Sequence, residues 1–369
     1  MTRPFIPGLR LGRMLYEEAG RAIIEAIVPG SAYAASLIGY GSDVLGYDTE
    51  RSTDHNWGPR FQLFLAPEVL RENGDALDAA LRDGLPHVFH GYATGFTEPD
   101  PLDNGSQMPD PEAAGPVNHL VEITSIADFL SRYLGRDSVT GIGLLDWLVI
   151  PDERLLELTA GAVFHDPRGE LAAVRRALTE YPRDVWIYKL ACQWRRIAQQ
   201  ESFVGRCNEA GDFIGMKVVT GRLVRDIMKL CFLVERTYAP YEKWLGSAFA
   251  RLQCAPAMTP LLDAALRAVA YPEVERSLAA AYRALGELHN TLGITGPIDP
   301  SPRPYFDRPY LVVKADRFAN ALLAAISAEE LRAIPIRIGA IDQFVDSPDY
   351  IENVAMYEKT RGLFEQGSR

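Results

Sequence analysis

GYGSDVLGYDTERSTDHNWGPRFQLFL, residues 39–65, sets a glycine-rich turn ahead of a run of acids and an apolar segment. The Gly41-Ser42 pair suits a turn whose backbone N–H groups approach an anion. Eleven residues further on, Asp54, His55 and Asn56 stand at the mouth of the apolar run. If these lie on a strand, Asp54 and Asn56 share one face and His55 points to the other, as structural support. A turn beside a carboxylate-bearing strand is the pattern expected around a metal-bound triphosphate. Asn56 is the discordant letter, because a second acid is expected there.

Working outward, 369 residues with 47% hydrophobic composition can bury a substantial core and favour two or three structural units. No apolar run approaches the roughly 18–20 residues of a membrane helix, and MTRPFIPGLRLGR has neither the apolar segment nor the cleavage site of a secretory signal, so a cytoplasmic location without membrane contact is expected. Cys192, Cys207, Cys231 and Cys254 form no C-x-x-C pair and have no adjacent histidine, which reads as reduced, mainly buried thiols. His87, His90, His119, His165 and His289 are scattered and read as structural. The net charge of −11 argues against nucleic acid as a partner. Its distribution is uneven: Trp194–Arg251 holds ten Lys/Arg against six Asp/Glu, a balance of +4 that leaves −15 for the rest. Such an island could attract an anionic nucleotide.

The expected fold class is α+β. Residues 9–28 read as an amphipathic helix ended by Pro29-Gly30. β-rich stretches at Tyr33–Gly39, Trp57–Leu65, His87–Tyr92 and His119–Ile123 are interrupted by a helical pattern at Pro67–Arg82, and Thr97–Pro116 reads as an exposed loop. From Ile126 the periodicity is helical, with Val185–Gln200 and Phe213–Thr237 the longest runs before Pro272–Leu292. The expected division is a mixed-sheet domain over 1–136, a helical bundle over 137–300, and a C-terminal extension over 301–369 packed on the bundle.

The Gly41-Ser42 turn, its distance to Asp54 and the flanking strands resemble the nucleotidyltransferase superfamily, which includes polymerase-β-like and aminoglycoside nucleotidyltransferases. STDHNWGPR, RDVWIYKLACQWRRIAQQESFVGRC and LVRDIMKLCFLVERTYAPYEKWLG more closely resemble DUF4037, a bacterial family of unknown function. The resemblance implies that Gly41 and Ser42, with Asp43 beside them, hold nucleotide phosphates. It implies that Asp54 and position 56 bind Mg²⁺, and that Glu122 in LVEIT is the third carboxylate, assisting deprotonation of the attacking group. Arg222, Arg225 and Lys243 become candidates for phosphate contact from the helical domain, with the nucleotide expected in the cleft between the two parts. Arg195, Arg196, Arg206, Tyr238 and Tyr241 are candidates for shaping an acceptor pocket, the tyrosines fitting a packed core better. Glu201, Glu209 and Asp212 are candidate bases, with nothing to choose among them.

The implied reaction is Mg²⁺-dependent transfer of a nucleoside monophosphate from an NTP, ATP foremost, to a small-molecule acceptor that the sequence does not identify. An amide oxygen at position 56 can bind a hard cation but brings no charge and does not bridge two metals. Three explanations stay open: a degraded site, a site that uses Asp43 or Asp48 instead, or an Asp→Asn change that traps substrate. Whether the chain is an enzyme is accordingly open. The alternatives are a catalytically inactive nucleotide sensor or interaction protein on the same fold, and an RNA-modifying or toxin–antitoxin module.

Overall fold

A computed structural model of the chain describes residues 4–103 and 105–365. The chain divides into two compact units, one comprising residues up to Gly141 with Arg154–Thr179, the other Ile142–Glu153 with everything from Glu180 onward.

In the first unit the expected N-terminal helix forms as α1 (Gly8–Leu15) and α2 (Arg21–Ile27), joined by a π-helical turn over Tyr16–Gly20. Leu11, Leu15 and Ile24 are fully buried on its apolar face. The turn directs Tyr16 to the sheet, where its hydroxyl lies 3.1 Å from that of Tyr33. Strands β1 (Tyr33–Leu37) and β2 (Gln62–Leu65) pair antiparallel, with Tyr33 opposite Leu65 and Ser36 opposite Gln62. Helix α3 (Pro67–Gly84) follows with proline in its first turn, where a missing N–H costs nothing. The expected strand at 87–92 is a hairpin instead, β3 (Val88–Phe89) and β4 (Tyr92–Ala93), because His90 and Gly91 both take positive φ between them. Strand β5 (Glu122–Thr124) runs parallel to β2, with Glu122 opposite Gln62. Helix α4 (Ile126–Leu134) starts at Ser125, whose hydroxyl accepts the Asp128 N–H, and ends at left-handed Gly135.

Short helix α5 (Asp146–Val149) lies in the second unit, and α6 (Asp152–Thr159) carries the chain back to the first. There β6 (Ala162–His165) pairs antiparallel with β1 before α7 (Glu170–Leu178), completing a mixed sheet of order β5-β2-β1-β6. The expected boundary at 136 is therefore displaced. The short AVFH segment finds its edge only once the sheet exists.

The strand expected over Trp57–Leu65 is shorter, beginning at Gln62. Pro59 has no N–H for a ladder. Upstream, Glu50–Asp54 form a 3₁₀ helix held by reciprocal bonds between Thr49 and Ser52. Asp54, His55 and Asn56 thus do not alternate on a strand. The Thr97–Pro116 segment is irregular apart from single bridges between Phe96 and Pro109 and between Asp100 and Ser106. Its residue Asn104 lies outside the described residues.

The second unit is mainly helical: α8 (Arg183–Gln200), α9 (Phe203–Glu209), α10 (Phe213–Val234), α11 (Glu242–Phe249), α12 (Ala255–Arg267), α13 (Tyr271–Thr291) and α14 (Asp316–Ala324). The Pro-rich segment before α14 contains a hairpin, β7 (Arg303–Tyr305) and β8 (Arg308–Val312). Short helices at Glu329–Arg332, Pro348–Ile351 and Ala355–Arg361 follow in the same unit, so 301–369 is not separated from the helices. At its centre Trp194 stacks on Phe318 with ring centroids 4.3 Å apart. Lys189, fully buried in an otherwise apolar stretch, donates to Asp152 at 2.7 Å, Tyr181 at 2.8 Å and Asp342 at 2.9 Å. An ammonium so enclosed persists because carboxylates from two distant segments surround it.

Glu201 performs a similar task at the hairpin, accepting Val313 N–H at 3.0 Å and Ala315 N–H at 3.2 Å. Burial nevertheless outweighs these bonds and raises its pKa from 4.5 to about 7. The folded state thus binds this proton more tightly than the unfolded chain does. Its contribution is fullest below pH 4.5 and is lost as pH rises toward 7, by about 3 kcal/mol in total. Thermal melts of wild type and Glu201→Gln at pH 5 and pH 8 check this: the wild type is expected to lose more stability over that interval than the variant.

Candidate functional site

The turn after β1 is set by Gln62. Its amide oxygen accepts the Ile38 N–H at 3.0 Å, and its amide nitrogen donates to the Ile38 carbonyl at 2.9 Å. Beyond this point the backbone leaves the sheet. Gly39 N–H donates to the Glu157 carbonyl at 2.8 Å, and Tyr40 N–H to the Tyr133 hydroxyl at 2.9 Å. The carbonyls of Gly41 and Ser42 accept from Leu45 and Tyr47 at 3.2 and 2.8 Å. The N–H groups of Gly41, Ser42 and Asp43, by contrast, find no acceptor among the described residues, and neither does the Ser42 hydroxyl. Gly41 and Ser42 are both partly exposed. Three successive unspent donors and a hydroxyl make a candidate anion cradle.

A buried ion pair supports the cradle. Arg60 grips Asp43 through two bonds, Nε to Oδ2 at 3.2 Å and Nη2 to Oδ1 at 2.8 Å, and Nη2 also donates to the Tyr40 carbonyl at 3.0 Å. The Asp43 side chain is 1% exposed. Gly41 has φ +140°, and a Cβ there would lie 2.2 Å from Asp43 Oδ1 and 2.4 Å from Arg60 Nη2. Gly12 lets α1 rest against the same segment, since its Cβ would meet the Arg60 carbonyl oxygen at 2.3 Å.

The remaining acids do not assemble as the sequence suggests. Asp48 accepts Gly8 N–H at 2.6 Å and Trp57 Nε1–H at 3.0 Å, both on Oδ2, so it and Asp43 each help to hold the fold. Asp54 closes the 3₁₀ helix with its side chain 61% exposed, its carboxylate engaged by His55 N–H at 3.1 Å and facing His55 Nδ1 at 3.2 Å. Asn56 sits in the left-handed region at φ +47°, which asparagine tolerates well. Its N–H donates to the Gln107 carbonyl and its Oδ1 accepts the Gln107 N–H, both at 2.9 Å. Glu122 on β5 is ion-paired with Arg132. Burial holds its carboxyl above the usual range, against the pull of Arg132 and, more weakly, of Arg60.

Among the described residues no group of three or more His, Cys, Asp or Glu is placed to hold a metal ion. The donor set expected for Mg²⁺ does not fit: Asp54 ends a 3₁₀ helix and Asn56 stands on the loop after it, neither on a strand, and the Asn56 oxygen is committed to Gln107. Position 56 works as a latch on the Thr97–Pro116 segment.

In the second unit, Arg225 is paired with Glu242 at 2.6 Å and Asp346 at 3.2 Å, while Lys243 lies over the Trp244 ring at 5.1 Å. Arg222 is exposed and lines a cavity with Arg196 and Arg225. The basic island is thus largely internal pairing, as Arg196 with Asp226 and Arg236 with Glu180 also show. All three candidate bases have partners within the second unit. Glu201 anchors the hairpin, Glu209 pairs with Arg308 at 2.9 Å, and Asp212 caps α10 through Gly215 N–H. Arg206 packs over the rings of Phe203 and Tyr305. Tyr238 is buried with its ring against Tyr181, and Tyr241 lines a cavity with Lys229 and Tyr350.

Residues 147–245 match the family model described as Domain of unknown function (DUF4037). The matched segment takes in α8, α10 and the Lys189 partners Asp152 and Tyr181. No curated protein matches the chain. Among solved structures, the chain is similar to a nucleotidyltransferase-like protein from Exiguobacterium sibiricum 255-15, with 10% identity over 84% of this chain and 89% of that one and a TM-score of 0.34.

Arg60 and Gln62 are the positioning residues that sequence reading passed over. Their signal is faint: two polar letters at the entrance to an apolar strand, where a pair with the preceding turn satisfies them. Two substitutions test the site's construction. Gly41→Ala is expected to cost about 1–3 kcal/mol from strain and displacement of the Asp43–Arg60 pair, read by chemical denaturation. Asn56→Ala, which removes the latch, is expected to speed amide hydrogen exchange at Gln107 and Met108 at least tenfold while leaving β1 and β2 protected.

Proposed function

We propose that the turn at Gly41–Asp43 binds the phosphates of a nucleoside triphosphate, and that this chain, with Asn56, binds the nucleotide without transferring it. The observation that carries the reading is the set of three consecutive N–H groups, with the Ser42 hydroxyl, left without acceptors beside a guanidinium. Backbone donors of this kind match the many oxygens of a polyphosphate and are indifferent to which oxygen they meet. Arg60 contributes more to the shape of the turn than to net charge, since Asp43 neutralises it. The resemblance of GYGSDV to the nucleotidyltransferase turn supports a nucleotide over other phosphate esters. The expectation of no turnover rests on the donor set, in which the residue 56 oxygen holds backbone, Asp43 is gripped by Arg60 and one Asp48 oxygen is bonded within the fold.

Nucleotidyl transfer to a small acceptor is the second reading, favoured by Glu122. Glu122 stands opposite Gln62, which holds the turn, and its carboxyl, ion-paired with Arg132, has a raised proton affinity, as suits a group that takes a proton from an attacking hydroxyl.

Isothermal titration with ATP and with inorganic pyrophosphate tests the first reading. Binding is expected for wild type, and Ser42→Asp, which puts a carboxylate into the cradle, is expected to weaken it at least tenfold with the circular dichroism spectrum unchanged. No binding of either ligand at millimolar concentration rejects the proposal. Pyrophosphate release from ATP plus Mg²⁺ separates the two readings: none is expected from wild type across an acceptor panel, and release that appears in Asn56→Asp favours the second.

A further inference from the structure

The second unit exposes an apolar face. Phe213, Ile214 and Val218 on the first turns of α10, and Leu266 and Val269 at the end of α12, are 52%, 76%, 64%, 46% and 69% exposed. Lys217 joins the two parts into one surface, its ammonium donating to the carbonyls of Leu266 and Ala268, each at 2.7 Å. These side chains present on the order of 500 Å² of apolar area, toward the upper end of what a monomer leaves in water. Leaving them exposed is unfavourable, and no described residue of their own unit covers them.

We propose that this face pairs two copies of the chain across a two-fold axis, with α10 packed antiparallel on its counterpart. Two observations favour a second copy over another partner. First, α10 supplies both a knob and a hole. Ile214 protrudes, whereas a Cβ at Gly221 would meet no atom within 4 Å. An axis passing between Lys217 and Val218 seats Ile214 of each copy over Gly221 of the other. The same axis makes this pairing twice, as an isologous contact requires. Second, the area fits: the apolar face with its polar rim approaches the roughly 800 Å² that each partner buries in a stable dimer.

Sedimentation velocity over a range of concentrations tests the proposal. Wild type is expected at twice the chain mass of 40.9 kDa, and Ile214→Glu and Val218→Glu are expected at 40.9 kDa with unchanged melting curves, both side chains being on the surface. Val218→Cys, close to the axis, is expected to form a disulfide-linked dimer on air oxidation that wild type does not form. Wild type that remains at 40.9 kDa at the highest concentration, or glutamate variants that keep the doubled mass, overturns the pairing. Val218→Cys that stays uncrosslinked within a doubled-mass species overturns the axis.

Discussion

The buried pair between Asp43 and Arg60 is the constraint on which the first unit's candidate site depends. A carboxylate with almost no exposure is tolerable only with its partner in place, and removing either one leaves an uncompensated charge at a cost of about 3–5 kcal/mol. The pair forces the chain after β1 to double back on the segment before β2. Gly41 must then lack a side chain, Gly12 must lie against the Arg60 carbonyl, and the turn's carbonyls face inward to Leu45 and Tyr47. What remains unpaired is the row of N–H groups. The anion cradle is therefore a consequence of how a charge was buried, rather than a separate device.

The second unit solves the same problem with Lys189. Its ammonium draws Asp152, Tyr181 and Asp342 together from points far apart in sequence. Glu201 does so on a smaller scale, recruiting backbone donors at Val313 and Ala315. In each case a buried ionisable group fixes the place of a segment that hydrophobic packing alone would leave less specified, and each occupies groups that sequence reading offers for chemistry. This explains why an acid or base in an apolar stretch of this chain is a poor guide to catalysis.

Position 56 shows how far a local letter can be misread. On a strand, Asn56 would share a face with Asp54 and stand as a defective metal ligand. Pro59 and the Thr49–Ser52 cap prevent that strand from forming upstream of Gln62. In the resulting loop the residue needs a left-handed backbone and an acceptor for Gln107 N–H, and asparagine serves both needs. The amide has a structural reason to be there, whatever its effect on metal binding.

The sequence alone determined the α+β class, the N-terminal helix, β1, α3, α4 and the long helices α8, α10 and α13, because each rests on near-neighbour periodicity and end signals. It also marked Gly41-Ser42 as the turn to watch, since the demand for glycine there is local. Tertiary structure alone decided the rest. AVFH became β6 only with β1 as an edge to pair on, which placed 154–179 in the first unit. Whether Asp43, Asp48 and Glu201 were ligands or props depended on which distant donors reached them: Arg60, Trp57 Nε1 and the backbone at 313–315. A carboxylate's role is set by its partners, and partners separated by tens of residues are chosen by packing.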